Sequence, residues 1–296
     1  MLTFEIAFQD HCRRLESFLR NLLPDSPFAY PRKLIKSGAV RVNSQTATPD
    51  TLLSTNDSVS IKESSAFSSM LADTRPALDI LYEDDHIAII NKTAGLAMHR
   101  TAEQEENLVD FATGYMAQRA TPCKLYPVNR LDRGTSGAVI LAKSSSSAGI
   151  FGRHVKETGL DKLYLALAEG ITEECGVIDT PLDGKESETR YQLLIRGMGC
   201  SLLAVAPVSG RMHQIRRHLE MIGHPVLGDK RYGSQPHPGL QGFALHSFRT
   251  ALAMPNGTTL VVCAPLPEDM LQVASGYGIS PALTMTALHR LVGCFV

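Results

Sequence analysis

Six cysteines (Cys12, Cys123, Cys175, Cys200, Cys263 and Cys294) are scattered through the 296 residues, and no two form a C-x-x-C pair. That spacing offers neither a zinc site nor a disulfide framework and fits a reducing compartment. Long apolar runs are missing too, since none approaches the roughly 20 residues of a membrane span. The stretch from Met1 to Asp10 lacks the basic n-region and apolar core of a secretion signal. Nor is there an excess of charge of one sign: the net charge is −1. The expectation is a cytoplasmic protein, monomeric, with no membrane partner, and the total charge does not announce a nucleic-acid binder.

A chain of this length holds one sizeable domain plus a smaller one, or two comparable ones. Hydrophobic residues make up 44% and charged residues 20%, enough for a real core. The charge is unevenly spread. Between His11 and Arg41, seven basic residues (Arg13, Arg14, Arg20, Arg32, Lys33, Lys36, Arg41) face two acids, Glu16 and Asp25. Between Ser209 and Gly233, Arg211, Arg216, Arg217, Lys230 and Arg231 face Glu220 and Asp229, whereas Glu157–Glu188 is acidic. Basic patches are the footprint expected for phosphate backbones. Charge alone describes a solvated face just as well.

Leu15, Phe18, Leu19 and Leu22 recur at helical spacing, which predicts a helix over 12–22. A second short helix is predicted over 32–37, then strands at 39–43 and 58–61. The Ser-rich stretch 63–75 reads as a linker. Beyond it, strands are predicted at 78–82, 87–90, 138–142, 163–168, 190–195, 201–206 and 259–263. Helices are predicted at 106–118, 146–157 and 212–222, with one more near 281–291. Strands outnumber what simple strand–helix alternation would give, so the fold class is α+β with a mixed, largely antiparallel sheet.

Three blocks carry candidate chemistry. In the first, Asp132 lies between Arg130 and Arg133, just before a Gly134-Thr135-Ser136-Gly137 turn and the apolar run Ala138–Ala142. An acid flanked by guanidiniums is expected to stay ionised, which suits a nucleophile or charge stabiliser better than a proton donor. A structural salt bridge is the competing reading. In the second, Met212, Ile215, Leu219 and Ile222 form a core-facing stripe bordered by His213, Arg216 and Arg217, with Gly223 placed as the C-terminal cap. The stem of Arg216 can then be buried while its head pairs bidentately with a carboxylate or phosphate. The His213 to His218 spacing is not that of a zinc protease, so no metal is expected. In the third, Leu163, Leu165 and Leu167 share one strand face, and Tyr164 shares the other with Ala166 and Ala168. Small neighbours leave room for a flat base to stack on the ring, though core packing explains an isolated tyrosine equally well.

In chain order these blocks resemble the RluA-type pseudouridine synthases, enzymes that modify ribosomal large-subunit RNA or tRNA and carry an N-terminal S4 RNA-binding domain. The similarity runs through Arg14–Leu19, Lys33–Asn43 and Asn56–Val59, then Leu81–Asp85 and Ile90–Gly95. It continues through Arg130–Gly137, Lys162–Ala166, Gly210–Arg216, Gly228–Asp229, Leu245–His246 and Ala264–Pro267. The resemblance implies an S4-like RNA-binding domain at 1–62, a linker at 63–75, a pseudouridine synthase catalytic domain at 76–270 and a C-terminal extension at 271–296. It implies Asp132, Tyr164 and Arg216 as catalytic residues, with Arg216 paired to Asp132. Arg130, Arg133, Arg211, His213 and Gln214 would bind substrate, Arg130 helping to displace the flipped uridine. Arg13, Arg14, Arg32, Lys33, Lys36 and Arg41 would meet RNA.

The implied reaction isomerises a uridine in RNA, breaking N1–C1′ and rejoining the sugar through C5, and it requires neither metal nor cofactor. The sequence departs from the family pattern at Asn129 (usually His), Gly134 (commonly acidic or otherwise polar), Thr93 (Pro), Met212 (Thr or Ser) and Ser44 (Gly). None of these removes a catalytic group. They motivate an alternative, a non-catalytic RNA-binding protein of the same fold. A carboxylate glycosidase fits less well, for want of a second acid at a recognisable position.

Overall fold

The computed structural model describes residues 1–24, 26–71, 78–100, 106–118 and 122–293. In chain order the N-terminal part contains β1 (Leu2–Glu5), α1 (Leu15–Leu22), α2 (Tyr30–Lys36), β2 (Val40–Val42), β3 (Gln45–Thr46) and β4 (Ser58–Ile61). The strands form a small antiparallel sheet ordered β1-β4-β2-β3. Leu15, Phe18 and Leu19 of α1 pack with Ile35, Val40, Val59 and Ile61 into one core. Asn43 and Ser44 turn the β2–β3 hairpin with left-handed φ of 50° and 67°, a geometry that asparagine tolerates and serine adopts at a cost. The expected linker is partly helical: α3 (Ser65–Met70) is capped by Ser64, whose hydroxyl accepts from the Phe67 amide, and Phe67 is fully buried in the N-terminal core. The rest of that linker, at 72–75, lies outside the described residues.

The arginines at the start of α1 correct one expectation. Arg13 and Arg14, expected to meet RNA, are spent instead on partners within the chain. Arg13 is 1% exposed; its two Nη atoms donate to the Asp79 carboxylate at 2.5 and 2.8 Å, and its Nε lies 2.7 Å from Asp10. Asn21 and Asn91 also donate to Asp79. Arg14 pairs with Asp50, donates to the Val261 carbonyl at 3.0 Å and lies over the Tyr82 ring. Arg20 reaches Glu83. These arginines bind the two parts of the molecule together, and a tally of charges says nothing of which surface they serve. Lys33, Lys36 and Arg41 remain exposed, and Arg32 is half-buried on Glu16.

This lock is acid-sensitive. Despite the opposing effect of burial, the Arg13 charge and the three donating side chains hold the Asp79 carboxyl down at about 2. A lowered carboxyl stabilises the docked state above its unfolded value and loses that contribution as pH falls through its folded value. The expected result is that amides around Asn91 and Ser17, where the N-terminal part meets the rest of the chain, gain hydrogen-exchange rate between about pH 4 and pH 2, and that Asp79→Asn removes this dependence.

The larger part contains β5 (Ile80–Glu83), β6 (Ile87–Lys92), α4 (Leu108–Ala117), β7 (Tyr126–Pro127), β8 (Ser136–Ala142), α5 (Ser145–Thr158), β9 (Asp161–Glu169), β10 (Cys175–Ile178), β11 (Thr189–Arg196), β12 (Cys200–Pro207), α6 (Gln214–Met221), β13 (Leu245–Ala253), β14 (Thr259–Cys263), α7 (Glu268–Gly276) and α8 (Pro281–Gly293). Ten strands form one sheet, ordered β10-β11-β12-β9-β13-β8-β6-β5, with β14 on β13 and β7 on β8. Among the described strands of this sheet the pairings are antiparallel except that of β13 with β8, where His246 faces Ser136 and Ser247 faces Gly137. The α+β class with a mixed, largely antiparallel sheet is as expected.

The alternation along β9 sorts its side chains between two cores. Leu163, Leu165 and Leu167 pack with α7 and α8, whereas Tyr164, Ala166 and Ala168 pack with α4 and α6. The expected boundary at 271 falls inside α7, whose Met270, Leu271, Val273 and Ala274 are buried. The C-terminal helices therefore cover one face of the sheet. Among the described residues no helix is long and apolar enough to cross a membrane.

Candidate active site

The parallel pairing of β8 with β13 lies in the middle of the large sheet, and the candidate site forms where these strands begin. Asp132 lies in the turn that leads into β8, Tyr164 is on β9 at the other side of β13, and Ser247 of β13 pairs with Tyr164. Helix α6 lays Arg216 across this point. Arg216 Nη1 donates to Asp132 Oδ2 at 2.8 Å. Two further donors go to a second acid: Nε to Asp229 Oδ2 at 2.6 Å and Nη2 to Asp229 Oδ1 at 2.9 Å. The guanidinium also lies 4.9 Å from the Tyr232 ring centroid and 4.2 Å from that of Phe243. Arg216 and Asp229 are buried, while the Asp132 side chain is 28% exposed and opens into a cleft.

The turn carrying Asp132 is held from its main chain. The Thr135 amide donates to the Asp132 carbonyl, and the buried Lys92 donates through Nζ to the carbonyls of Thr93, Leu96 and Arg133. Burial brings the Lys92 amine down to about 8, against the pull of Asp132. Arg133 exchanges two further bonds with Gly95: its carbonyl accepts from the Gly95 amide and its Nε donates to the Gly95 carbonyl. Asn129 accepts from the Ile140 amide at 2.8 Å, which fixes the approach to β8.

Tyr164 lines the cleft and is 7% exposed; burial pushes its hydroxyl well up, a hydrogen bond to Ser247 opposing. The ring is therefore a neutral phenol at any physiological pH. His213 Nε2 stands 3.8 Å from Asp132 Oδ1, and its Nδ1 shares a 2.9 Å hydrogen bond with the Tyr232 hydroxyl. Burial lowers the His213 imidazole against the attraction of Asp132. Arg130 and Arg211 are exposed at the cleft wall, Arg211 donating to the Glu186 carbonyl. Gln214, expected at the substrate, spends its amide inside the protein. Its oxygen accepts from the Ser209 hydroxyl and the Arg211 amide, and its nitrogen donates to Glu188 and Thr189. It shapes the loop that carries Arg211.

The expected α6 stripe is shorter than predicted. His213 takes a left-handed φ of 53° at the helix N-cap, which ends the stripe there and leaves Met212 62% exposed. Ile215 and Leu219 are buried, and Gly223 takes a left-handed φ of 78° after the helix. Sequence reasoning missed Asp229, Tyr232 and Phe243. The Gly228-Asp229 pair was available as a motif without a role. The turn after it closes through the Tyr232 and Ser234 amides on the Asp229 carbonyl, which brings the Tyr232 ring to Arg216.

An arginine lies between two carboxylates, one buried and one facing a cleft beside an aromatic ring, and its hydrogen bond fixes the orientation of the cleft-facing one. Comparison with known proteins agrees in kind. The profile of the RNA pseudouridylate synthase family matches residues 86–221. The ribosomal large subunit pseudouridine synthase C of Salmonella typhi is 31% identical over 299 residues, covering 90% of this chain and 93% of that protein. Its counterpart from Escherichia coli strain K12 is 32% identical, covering 87% and 91%. Among solved structures, human RNA pseudouridylate synthase domain containing 4 superposes with a TM-score of 0.56 at 22% identity, covering 66% of this chain and 91% of that one. With similarity of this extent, the chain belongs to the RluA-type RNA pseudouridine synthases, a family of isomerases.

Proposed function

We propose that this enzyme converts uridine to pseudouridine in ribosomal large-subunit RNA, with Asp132 as the group that reacts. The observation that carries this reading is the division of labour at Arg216. It engages Oδ2 of Asp132 and leaves Oδ1 to the cleft. The target uridine is buried in a stacked strand, so it must be flipped out to reach the carboxylate, and Tyr164 supplies a flat face for it. Oδ1 acts as nucleophile or base while N1–C1′ breaks. The base then turns, C5–C1′ forms, the C5 proton leaves and N1 is protonated, so nothing is oxidised and no group is imported. Arg130 and Arg211, exposed at the cleft wall, take the phosphates on either side of the flipped nucleotide. The relatives from Salmonella typhi and Escherichia coli, named for the ribosomal large subunit, support that choice of RNA.

The N-terminal part acts as an S4-like RNA-binding module through Lys33, Lys36 and Arg41, not through Arg13 and Arg14, which are spent on docking. Reversing Lys33, Lys36 and Arg41 to glutamate is expected to weaken RNA retention and to make its salt dependence shallower, by about 0.7–0.9 in log–log slope for each phosphate no longer neutralised. An unchanged slope would place the RNA elsewhere. The substrate itself is tested by mapping pseudouridines chemically in cells with and without the gene. At least one large-subunit position is expected to disappear with the gene; loss only from tRNA would move the substrate, and an unchanged map would remove it.

A further inference from the structure

The second aromatic ring on Arg216 comes from a segment with no assigned role. Phe243 is half-buried beside the cleft, with its ring centroid 4.2 Å from the guanidinium carbon. The chain around it is pinned. The Ala244 amide donates to the Leu227 carbonyl at 2.9 Å, the Ala244 carbonyl accepts from Leu167, and the Leu245 amide donates to the Phe243 carbonyl. The ring therefore has little freedom to follow changes in its neighbours through the main chain.

What it meets on the other side is the turn carrying Asp132. A Cβ at Gly134 would lie 2.5 Å from Phe243 Cε1 and 2.8 Å from Cδ1, distances real Cβ atoms do not reach. A Cβ at Gly242 would lie 2.7 Å from both the Cα and the carbonyl oxygen of Gly134. Two glycines thus let the Gly242–Phe243 backbone press directly on the Asp132 turn. Gly134 needs no glycine for its own backbone, since it is absent from the positive-φ residues. Its missing side chain is space filled by a ring. This accounts for glycine at a position where the sequence departs from the family pattern.

We propose that Phe243 is a positioning residue for the reaction and that Gly134 is glycine because Phe243 occupies its side-chain space. The ring covers a face of Arg216, shields the pairing with Asp132 from water, and restricts the guanidinium to the orientation that serves Asp132 and Asp229 together. A cation over an aromatic face is attracted by the ring quadrupole, more strongly where water is excluded. The proposal rests on Asp132 and Arg216 being the reacting pair. It differs from plain core filling in one respect: leucine would preserve most of the apolar volume but not the aromatic face.

The test uses the full-length enzyme and total RNA from cells lacking the gene, labelled with tritium at uridine C5. Tritium release is followed in a single turnover at saturating enzyme, beside filter retention of the same RNA. Phe243→Leu is expected to slow release about tenfold and Gly134→Ala about a hundredfold, the scale of a misplacement near 1 Å, with retention within about twofold in both. Phe243→Tyr, which keeps the aromatic face, is expected to stay near the wild-type rate. The double variant Gly134→Ala/Phe243→Leu is expected to exceed Gly134→Ala by about tenfold, because residues that share one space couple. Phe243→Leu at the wild-type rate, or a double variant no faster than Gly134→Ala, overturns the proposal. If Gly134→Ala does not fold, the leucine and tyrosine variants decide it alone, and equal rates for the two overturn it. The Arg216 Nε–H resonance gives a readout independent of activity: a ring-current shift present in the wild type and lost in Phe243→Leu supports the stacking, and no change refutes it. Should the wild type release no tritium, the choice of Asp132 chemistry fails separately, while the resonance still decides the packing.

Discussion

Asp132→Asn is expected to stop pseudouridine formation, by about 10³-fold or more on the scale seen when the reacting member of a coupled catalytic unit is removed, while RNA retention stays within about twofold. The geometry separates the two effects. Asparagine matches aspartate in shape, and its side-chain oxygen accepts from Arg216 as the carboxylate does. Arg216 also keeps both of its bonds to Asp229. The site therefore keeps its form and loses only the charge and nucleophilicity of Oδ1. Arg216 thus keeps a charged partner in Asp229, so no buried cation is orphaned and thermal stability should change little. Tritium release and filter retention measured on one preparation check both halves. A variant that bound RNA and turned it over at the wild-type rate would remove Asp132 from the chemistry.

The other large effect is expected at Asp229, which faces no substrate. It is 1% exposed and takes two of the three hydrogen bonds that Arg216 makes to carboxylates. Truncation by Asp229→Ala leaves a buried guanidinium with a single, partly exposed partner, a situation that costs about 3–5 kcal/mol. At about 2–4 °C per kcal/mol for a domain of this size, the melting temperature should fall by roughly 10 °C. Activity should fall as well, since Arg216 is no longer aimed at Asp132. Adding Arg216→Met separates the roles: replacing both charges with apolar volume restores much of the stability but none of the activity. If the double variant melts no higher than Asp229→Ala, the buried pair is not what Asp229 contributes.

Much of this arrangement is readable from local pattern. Alternation along 163–168 sorts three leucines from Tyr164 because a strand presents successive side chains to opposite faces, and both faces here are buried. The run after Gly137 announces β8 because an interior strand needs no polar face. Strand β13 escapes the same reasoning. Eight of its nine residues are buried, among them His246, Ser247, Arg249 and Thr250, so the usual contrast between apolar and polar positions vanishes. His246 is satisfied internally, between the Ser136 hydroxyl and the Ala264 carbonyl, and burial lowers it to about 4.

At the site, the Arg216 spacing in α6 reveals a side chain with a buried stem, but not its anchor. Asp229 and Phe243 reach it from a loop whose course depends on glycine–glycine contacts, and these have no periodicity to read. Arg13 and Arg14 mislead for a related reason: an arginine that docks one part of a molecule onto another looks, in sequence, like one that waits for phosphate. Gly134 is informative only once its neighbour is known.

Whether Asp132 modifies uridine in RNA is decided by mapping pseudouridines in total RNA from cells lacking the gene, complemented with either the wild-type chain or Asp132→Asn at equal protein level. The predicted result is that at least one large-subunit position is lost on deletion, returns with the wild type and stays unmodified with Asp132→Asn. Return of the modification with Asp132→Asn would mean that a group other than the Asp132 carboxylate carries the reaction.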